Sequence, residues 1–355
     1  MEENLKNKIE NLADKPGVYF FKNAAETVIY VGKAKNLKKR VKNHFQKPDQ
    51  HAFDFIAQIT DIDFILTANE TEALILEQQF IKKLQPRWNT EWKDDKNYAS
   101  VAFSADVFPR VYVTHQPKKS EEAIFGPFVK GKELKDFLRE IRKALPYRTC
   151  RNLPQKSCLY QSLELCAGPC VYGKRKAQYS KMIATLEALI KLYQGEFVQD
   201  RTLQTSRVEC YDISNLSGTL SVGSMVVFKN GMPDKNQYRK FKIKTVSGQN
   251  DVASLQEILL RRLGHKEWPL PDLIVLDGGK GQLKAARGMN IPVVALAKIK
   301  KNDGKLFSSF SKKHVLLSAL PQGLAAMFLR MRDEAHRFAI GYNRSRREEM
   351  YKKVS

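Results

Sequence analysis

The first hundred residues alternate short β-rich runs with stretches of helical spacing. Residues 17–21 and 28–32 are two such runs, and the polar segment between them predicts a turn. Asn36 is a candidate N-cap for the helix that follows, because apolar positions then recur with helical periodicity. The pattern predicts a compact α/β domain over residues 1–97.

A second N-terminal helix carries a carboxylate on its apolar face. Asn69 followed by Glu72 is a capping-box pattern that starts this helix, and Pro86 ends it near Leu84. Glu77 falls on the stripe of apolar positions. A charge placed there costs on the order of several kcal/mol unless a cation or hydrogen-bond donors neutralise it. A lysine or arginine partner and a divalent metal ion both meet this requirement.

The rest of the chain continues with mixed strands and helices. Residues 98–200 combine strand-like alternation with helical stretches, and they hold four of the five cysteines. Residues 201–355 follow the order strand, turn, strand and helix, and they end in a basic tail. The expected fold class is therefore multidomain α/β (α+β), with three regions that meet near residues 97 and 200.

The composition favours a soluble protein with a polyanionic partner. Hydrophobic residues make up 43% of the chain and charged residues 28%, but the net charge is +23. Such an excess of lysine and arginine points to nucleic acid, although basic proteins without this role exist. The N-terminus lacks the apolar run of a signal peptide, and five cysteines do not indicate a disulfide scaffold, so a cytoplasmic protein is expected.

Several polar side chains of the N-terminal domain are expected to converge on one cleft. Arg40 and His44 form an i, i+4 pair beside the apolar stripe of the first helix. The full set is Tyr19, Tyr30, Lys33, Arg40, His44 and Glu77. These groups suit phosphodiester hydrolysis, since a cation on Glu77 would hold the phosphate and Arg40 would neutralise its developing charge. Tyr30 is the candidate base that activates water.

Four cysteines of the middle region form a candidate metal site. Cys150, Cys158, Cys166 and Cys170 have the spacing C-x7-C-x7-C-x3-C. Four thiolates this close in sequence can bind zinc or an iron–sulfur cluster, and the lack of C-x2-C pairs leaves zinc without strong support. Free buried thiols are the third possibility. Cys210 lies apart in a predicted strand and is expected to be a small core residue.

The C-terminal region contains a second set of candidate metal ligands. Asp212 lies in a predicted strand, whose alternation places it on the same face as Cys210. Asp277 ends a buried-looking apolar run, where α/β sheets often place their chemistry. Asp251 opens a helical segment, and His336 lies in a late helix. For each aspartate alone, capping a turn or a helix is the stronger explanation. Together with the histidine they indicate a metal-dependent phosphodiesterase.

The N-terminal motifs resemble the GIY-YIG nuclease domain of the UvrC family over residues 16–89. The matching segments are PGVYFF, IYVGKAKNLKKRV and EALILEQQFIKKLQPRWN. The resemblance implies that Tyr30 is the general base, Glu77 the metal ligand and Asn89 the asparagine at the end of the domain. The other matching positions are Tyr19, Lys33 and Arg40. His44 stands where UvrC proteins usually have tyrosine, and other GIY-YIG nucleases accept histidine there.

The later motifs resemble two further parts of the same family. RTCRNL and LCAGPC are similar to its cysteine-rich segment, which implies a [4Fe–4S] cluster on the four cysteines. Residues 207–342 resemble its RNase H-like endonuclease domain through RVECYDISNLSG, LIVLDGGKGQL and RDEAHRFAIGYNR. Asp212, Asp277 and His336 match the catalytic set, and Asp251 matches a further acidic position. Both nuclease sites are then expected to use Mg²⁺ or Mn²⁺.

The resemblance implies nucleotide excision repair, in which UvrA and UvrB act before UvrC on double-stranded DNA. The N-terminal site would cut 3′ of the lesion and the C-terminal site 5′ of it. Two usual parts of the family are expected to be missing, namely the UvrB-binding helical hairpin and the tandem helix–hairpin–helix region. Two alternatives therefore stay open, a UvrB-independent structure-selective nuclease and a nonenzymatic DNA-binding scaffold.

Overall fold

The chain divides into two compact units in a computed structural model. Their boundary lies between Ala99 and Ser100, and the second unit contains both the middle and the C-terminal region. The residues described are 3–46, 50–91, 98–117, 120–128, 130–153, 155–171, 176–195, 206–216, 220–246, 248, 250–300 and 303–354. None of the described helices combines the length and the apolar character that crossing a bilayer requires.

The first unit is a three-stranded antiparallel sheet between helices. Its elements are α1 (Glu3–Glu10), β1 (Gly17–Lys22), β2 (Val28–Ala34), α2 (Leu37–Gln46), α3 (Gln50–Ala57), β3 (Asp61–Leu66), α4 (Glu70–Leu84) and α5 (Arg87–Glu91). The strand order is β2-β1-β3, so β2 is an edge strand. One face of the sheet packs with α1 and α2 around Tyr19 and Phe21, and α4 covers the other face around Val18 and Phe20. Alternation along β1 thus supplies both cores.

Helix starts in this unit follow the expected capping chemistry. The side chain of Asn36 accepts a hydrogen bond from the amide of Lys39 at 2.9 Å, and that of Asn69 accepts one from the amide of Glu72 at 2.9 Å. The Glu72 carboxylate in turn accepts the amide of Ala68, one residue before the cap. The capping box is therefore reciprocal, shifted outward by one residue from its usual partner.

The middle region forms a small sheet with two larger helices. Its elements are β4 (Ala99–Phe103), β5 (Val111–Thr114), β6 (Ala123–Phe128), α6 (Gly131–Ile141), α7 (Leu159–Ser162) and α8 (Lys176–Gly195). The strand order is β5-β4-β6. Ten side chains of α8 are buried, which explains why its sequence is apolar around most of its circumference.

The C-terminal region is built on an eight-stranded mixed sheet. Its elements are β7 (Arg207–Leu216), β8 (Leu220–Lys229), β9 (Met232–Pro233), β10 (Arg239–Lys242), α9 (Asp251–Gly264), β11 (Leu273–Asp277), β12 (Val293–Lys300), β13 (Asp303–Phe307), β14 (His314–Leu316) and α10 (Gln322–Val354). The main path is β10-β8-β7-β11-β12-β13-β14, and β9 pairs with β8. β7, β11 and β12 run parallel, whereas β7 and β8 form an antiparallel hairpin. This is an RNase H-like arrangement.

Contacts between the middle and C-terminal regions explain why they form one unit. The Ser308 hydroxyl, which is buried, donates to the carbonyl of Ala144 at 2.5 Å. The Lys181 ammonium donates to the carbonyl of Met289 at 3.1 Å. Residue patterns within each region do not reveal such bonds, because their partners are more than a hundred residues apart in the chain.

Candidate active sites

The free edge of β2 organises the N-terminal site. The side-chain amide of Asn89 bonds both backbone groups of Val31, accepting from its N–H at 2.7 Å and donating to its carbonyl at 2.7 Å. Two residues on, the N–H of Lys33 donates to Glu77 Oε1 at 2.8 Å. Along an edge strand, the backbone N–H and C=O groups that point away from the sheet belong to every second residue. Asn89 and Glu77 therefore bind consecutive outward-pointing residues of β2, Val31 and Lys33. Asn89 is thus a positioning residue for the strand.

The two motif tyrosines lie beside His44 on the opposite side of β2 from α4. The Tyr19 hydroxyl and His44 Nε2 are hydrogen-bonded at 2.7 Å. The Tyr30 ring lies 6.1 Å from the Tyr19 ring and 5.9 Å from the His44 ring, centre to centre. Both tyrosines are buried. His44 is therefore part of the tyrosine cluster and not an exposed helix residue.

Gly32 makes this cluster possible. It pairs with Tyr19 across the β1–β2 hairpin. A Cβ atom on Gly32 would lie 2.5 Å from both Cζ and Oη of Tyr19, and 2.8 Å from Cε1 of Tyr30. Any side chain would push the two tyrosines apart, so the glycine of the Tyr-Val-Gly motif is a packing requirement. The sequence alone identified the motif but did not reveal that its glycine is needed for the packing of the two tyrosines.

Burial, more than the neighbouring charges, keeps Tyr19 in its neutral form. Burial raises the pKa of Tyr19 well above its ordinary value, and the neighbouring Tyr30 raises it further. Arg40 is hydrogen-bonded to Tyr19 and opposes this shift, whereas Glu77 adds to it. Tyr19 therefore remains a phenol at neutral pH and serves as a hydrogen-bonding group. Arg40 and Glu77 are both close enough to act on the same hydroxyl.

Lys33 takes a different place from the one expected. Its ammonium donates to Glu70 at 3.0 Å and lies 5.6 Å from the centre of the Tyr98 ring. Burial lowers the pKa of Lys33, but hydrogen bonds to Tyr98 and Glu70 outweigh it and leave the pKa raised. Lys33 thus stays charged beside the cleft, held by an ion pair to α4. Sequence reasoning missed Glu70 and Tyr98, although Glu70 lies one turn before the stripe that contains Glu77.

The second site is built where the pairing of two neighbouring parallel strands stops, at the end of β11 and within β7. β7 and β11 pair with Tyr211 opposite Leu276, so the next residues, Asp212 and Asp277, come side by side. Glu209, on the opposite face of β7, bonds the buried Arg262 of α9. The alternation expected along β7 is thus confirmed. Cys210 is fully buried, as predicted for a small core residue.

The C-terminal residues meet the spacing that a divalent cation requires. Ligand atoms of Asp212, Asp277 and His336 all lie within 4.8 Å of one another, and theirs is the sole such group among the described residues. His336 Nδ1 lies 3.3 Å from Asp212 Oδ2. A cavity of about 210 Å³ opens at this point, and Asp251 and Gln282 also line it. Carboxylate oxygens and an imidazole nitrogen are suitable ligands for Mg²⁺ or Mn²⁺.

Burial and charge make the ionised carboxylates of this site unfavourable. Burial, with a smaller effect from the charge of Asp212, raises the pKa of Asp277 from 3.8 to about 6. Burial also raises the pKa of Asp212, although His336 partly counters this. Two neighbouring carboxylates with raised pKa values favour a bound cation.

Three further residues support this site, and sequence reasoning missed two of them, Ser224 and Arg332. Ser224 lies opposite Asp212 in the hairpin, and its buried hydroxyl donates to the carbonyl of Ala335 at 3.2 Å, directly before His336. Arg332 is buried one turn before His336 and lowers the pKa of Asp277. Gln282 packs over Gly278, where φ is +126° and a Cβ would lie 2.7 Å from the Gln282 side chain. The sequence does contain a signal for Ser224, since it is a polar residue within the apolar run of β8.

The four cysteines lie on a segment held by two buried arginines. Arg148 donates to the carbonyls of Phe108 at 2.6 Å and Cys150 at 3.3 Å. Arg142 donates to the carbonyl of Leu165 at 2.6 Å, next to the buried Cys166. All five cysteines lie in the part of the chain that the structure describes, and they are free thiols there. The segment that carries the four cysteines is thus anchored by one arginine near Cys150 and by the other near Cys166.

Three family descriptions match successive parts of the chain. Residues 15–90 match the UvrC-like GIY-YIG domain, residues 98–189 the UvrC/Cho excinuclease middle domain, and residues 200–340 the UvrC RNAse H endonuclease domain. The chain belongs to the UvrC family. It is an endonuclease with one nuclease domain in each unit, which confirms the resemblance found in its motifs.

Two relatives align with almost all of this chain. The UvrABC system protein C of Methanosarcina barkeri is 29% identical, covering 96% of this chain and 98% of the relative. That of Streptococcus equi subsp. zooepidemicus is 27% identical, covering 97% of this chain and 89% of the relative. The first alignment extends over 514 positions, whereas the chain has 355 residues, so the relative carries residues that have no counterpart here.

One solved structure is similar to the first unit alone. It is the GIY-YIG N-terminal endonuclease domain of UvrC from Thermotoga maritima, bound to magnesium as its catalytic divalent cation. It is 37% identical, covers 25% of this chain and 99% of that structure, and has a TM-score of 0.24.

Proposed function

We propose that the protein incises damaged double-stranded DNA on both sides of a lesion, in nucleotide excision repair. The observation that carries this proposal is the convergence of Asp212, Asp277 and His336 at the point where the pairing of the parallel strands β7 and β11 stops. The N-terminal site, with Tyr30 and Glu77, makes the 3′ cut, and the C-terminal site makes the 5′ cut. This assignment follows the family.

The C-terminal residues have separable tasks in phosphodiester hydrolysis. Asp212, Asp277 and His336 would hold a divalent cation, which supplies positive charge to the phosphate and lowers the pKa of bound water. His336 is 63% exposed at its side chain, so it is the member of the set that reaches solvent and can exchange a proton. Asp251 lines the same cavity and lies where it orients water or the leaving oxygen.

The N-terminal residues divide the same reaction differently. Glu77 is a single buried carboxylate, and it would hold a cation while the Lys33 amide fixes one of its oxygens. Tyr19 stays protonated and orients His44 through their hydrogen bond. Tyr30, beside both, is the base that removes a proton from water. Arg40 neutralises the charge that develops on the phosphate.

The cysteine segment holds a [4Fe–4S] cluster in this proposal. Burial raises the pKa of the Cys166 thiol, and Cys150 and Cys158 are near enough to raise it further. Cys170 Sγ lies 4.0 Å from the carbonyl of Lys156, two residues from Cys158. Four thiolates this close in sequence can bind either zinc or a cluster, and the resemblance of the surrounding motifs to the cysteine-rich segment of the family favours the cluster. Anaerobically purified protein should contain iron, and zinc without iron would reject the assignment.

A second candidate function differs in its need for partners. α8 ends at Gly195 and β7 begins at Arg207, so the connection is too short to contain a helical hairpin for binding UvrB. A structure-selective nuclease that works without UvrA and UvrB would need no such hairpin. The short connection is the observation that favours it. Incision that depends on UvrA and UvrB would favour the first candidate instead. UvrB would then contact another part of the chain.

The two candidates separate in one incision assay. A duplex with one defined lesion and labels on both ends of the damaged strand is incubated with Mg²⁺, with and without UvrA and UvrB. Nicks on both sides of the lesion that require the partners support excision repair. Equal nicking of undamaged or branched DNA without partners supports the second candidate, and no nicking under any condition rejects both.

Two substitutions assign the cuts to the two sites. Glu77→Ala should remove the 3′ nick alone, and Asp212→Ala the 5′ nick alone, because each removes a metal-binding carboxylate of one site. Glu10→Ala and Glu122→Ala are matched controls, since both replace exposed carboxylates and should leave both nicks. Loss of both nicks in a folded single variant would contradict the two-site assignment.

A further inference from the structure

A groove runs between α8 and the segment that follows the second catalytic aspartate. Its volume is about 700 Å³, and Gln178, Lys181 and Thr185 of α8 form one wall. The other wall consists of residues 280–293, which include the 3₁₀ helix Lys280–Ala286. Both walls belong to the second unit. The groove therefore joins the middle region to the C-terminal nuclease.

The charge of the groove lining has one sign. Lys181, Lys280, Lys284 and Arg287 line it, and none of the described lining residues is acidic. Lys181 and Lys280 are held in place by backbone carbonyls, those of Met289 at 3.1 Å and Ser311 at 2.8 Å. Lys280, Lys284 and Arg287 are exposed. Four cations, two of them held in place by carbonyls, suit a chain of phosphates.

Between these cations the groove is apolar. Leu283, Ile291, Val293 and Phe310 contribute to its lining. A duplex keeps its bases stacked inside and would not use such a surface. A single strand exposes base faces, which stack on aromatic and apolar side chains while its phosphates contact lysine and arginine. The combination thus fits single-stranded nucleic acid better than a duplex.

The groove connects two functional parts of the unit. The 3₁₀ helix Lys280–Ala286 lines it through Leu283, while Gln282 of the same helix lines the cavity of the catalytic aspartates. At the far side, Gln178 and Phe310 also line a smaller cavity of about 110 Å³ together with Pro169, next to Cys170. A strand lying in the groove would therefore extend from the Asp277 site toward the cysteine segment.

We propose that this groove binds single-stranded DNA, namely the strand that leaves the C-terminal nuclease site. The proposal rests on the proposed DNA nuclease function and adds the path of its substrate. It also gives the middle region a task, since α8 supplies one wall of the path. Lys284 and Arg287 contact phosphates, and Phe310 stacks on a base.

Charge reversal of Lys284 and Arg287 tests the groove. The variant Lys284→Glu/Arg287→Glu and wild-type protein are titrated with a labelled oligothymidylate in EDTA, so that binding is measured without cleavage. Affinity should fall at least about tenfold at low salt. The slope of log K against log [salt] should shrink by about 1.4, since each lost phosphate contact removes about 0.7 for a single strand. A matched duplex should lose less affinity than the oligothymidylate.

A control of equal charge change separates the groove from general attraction. Lys132 and Lys135 are exposed on α6 and do not line the groove. Lys132→Glu/Lys135→Glu should therefore leave the affinity within about twofold of wild type, because only a screened long-range charge effect remains. Phe310→Leu keeps an apolar side chain without the aromatic face, and it should weaken single-strand binding at least about fivefold.

The outcomes distinguish failure of the groove from failure of the nuclease function. Suppose that wild type nicks DNA but that both double variants bind the single strand with the same affinity as each other. The groove proposal is then wrong, and the nuclease function stands. Equal loss for duplex and single strand would also overturn it. If wild type neither binds nor cuts DNA, both proposals fail. Alanine versions of Lys284 and Arg287 repeat the test should the reversal variant unfold.

Discussion

Replacing Asp277 by asparagine should stabilise the metal-free protein while removing one incision. The pKa of Asp277 is raised from 3.8 to about 6 by burial and by the charge of Asp212. Each pKa unit corresponds to about 1.4 kcal/mol, so ionising Asp277 in the folded protein costs up to about 3 kcal/mol. An asparagine side chain at this position would not carry the charge. The variant loses a metal ligand, and so the 5′ cut, but gains stability.

The sign of the pH dependence follows from the direction of the shift. A carboxyl group with a raised folded-state pKa holds more protons when folded than when unfolded between about pH 4 and pH 6. Wild-type stability without metal should therefore fall as pH rises through this window and level off above it. The advantage of Asp277→Asn should be near zero at pH 4 and largest above pH 6.

Thermal unfolding in EDTA at pH 5 and pH 8 measures this difference. For a domain of this size, 1 kcal/mol shifts Tm by roughly 2–4 °C, so the variant should gain several degrees at pH 8 and less at pH 5. Asp136→Asn, which changes a half-exposed carboxylate on α6, should shift Tm little at either pH. Mg²⁺ should raise the Tm of wild type more than that of Asp277→Asn. A variant less stable than wild type at pH 8 in EDTA would refute the reasoning.

Three further substitutions test the supports of the two sites. Gly32→Ala should reduce the 3′ cut by at least about tenfold, because the added methyl group displaces the Tyr19 ring, and single-turnover incision would detect it. Asn89→Ala removes two hydrogen bonds to the edge of β2 and should lower the free energy of unfolding by about 1–3 kcal/mol in urea titrations. Glu209→Gln leaves the buried Arg262 without its counter-charge and should cost about 3–5 kcal/mol, again by urea titration, without altering any metal ligand. Two results would contradict these assignments. One is a Gly32→Ala variant that makes the 3′ cut at the wild-type rate, and the other is an unchanged urea midpoint in Asn89→Ala or Glu209→Gln.

The elements that positioned the sites were predictable from local patterns. The capping residues Asn36 and Asn69 begin helices as expected, and alternation along β7 placed Asp212 on one face. These signals are local, since a cap or an alternating strand is complete within a few residues. The pairing of β7 with β11 is not local. The register of this pairing brings Asp212 and Asp277 together. The sequence indicated their proximity only indirectly, because each aspartate follows apolar residues of a predicted strand.

The supporting residues were harder to foresee for a physical reason. Gly32, Ser224 and Arg332 act through partners that are distant in the chain, and each residue type has many uses in proteins. The expected place of Lys33 inside the cleft differs from its ion pair with Glu70, because a long flexible side chain selects its partner from the tertiary packing. The union of the middle and C-terminal regions into one unit has the same origin, since it depends on contacts such as Ser308 to Ala144.

The electrostatic situation of Asp277 couples metal binding to folding at the C-terminal site. Asp212 and Asp277 lie side by side, and burial together with the charge of Asp212 raises the pKa of Asp277. Burial also raises the pKa of Asp212. The charges of this pair are therefore unfavourable until a cation binds, and the free energy of metal binding must include relief of this cost. A chelator should consequently destabilise the metal-bound second unit.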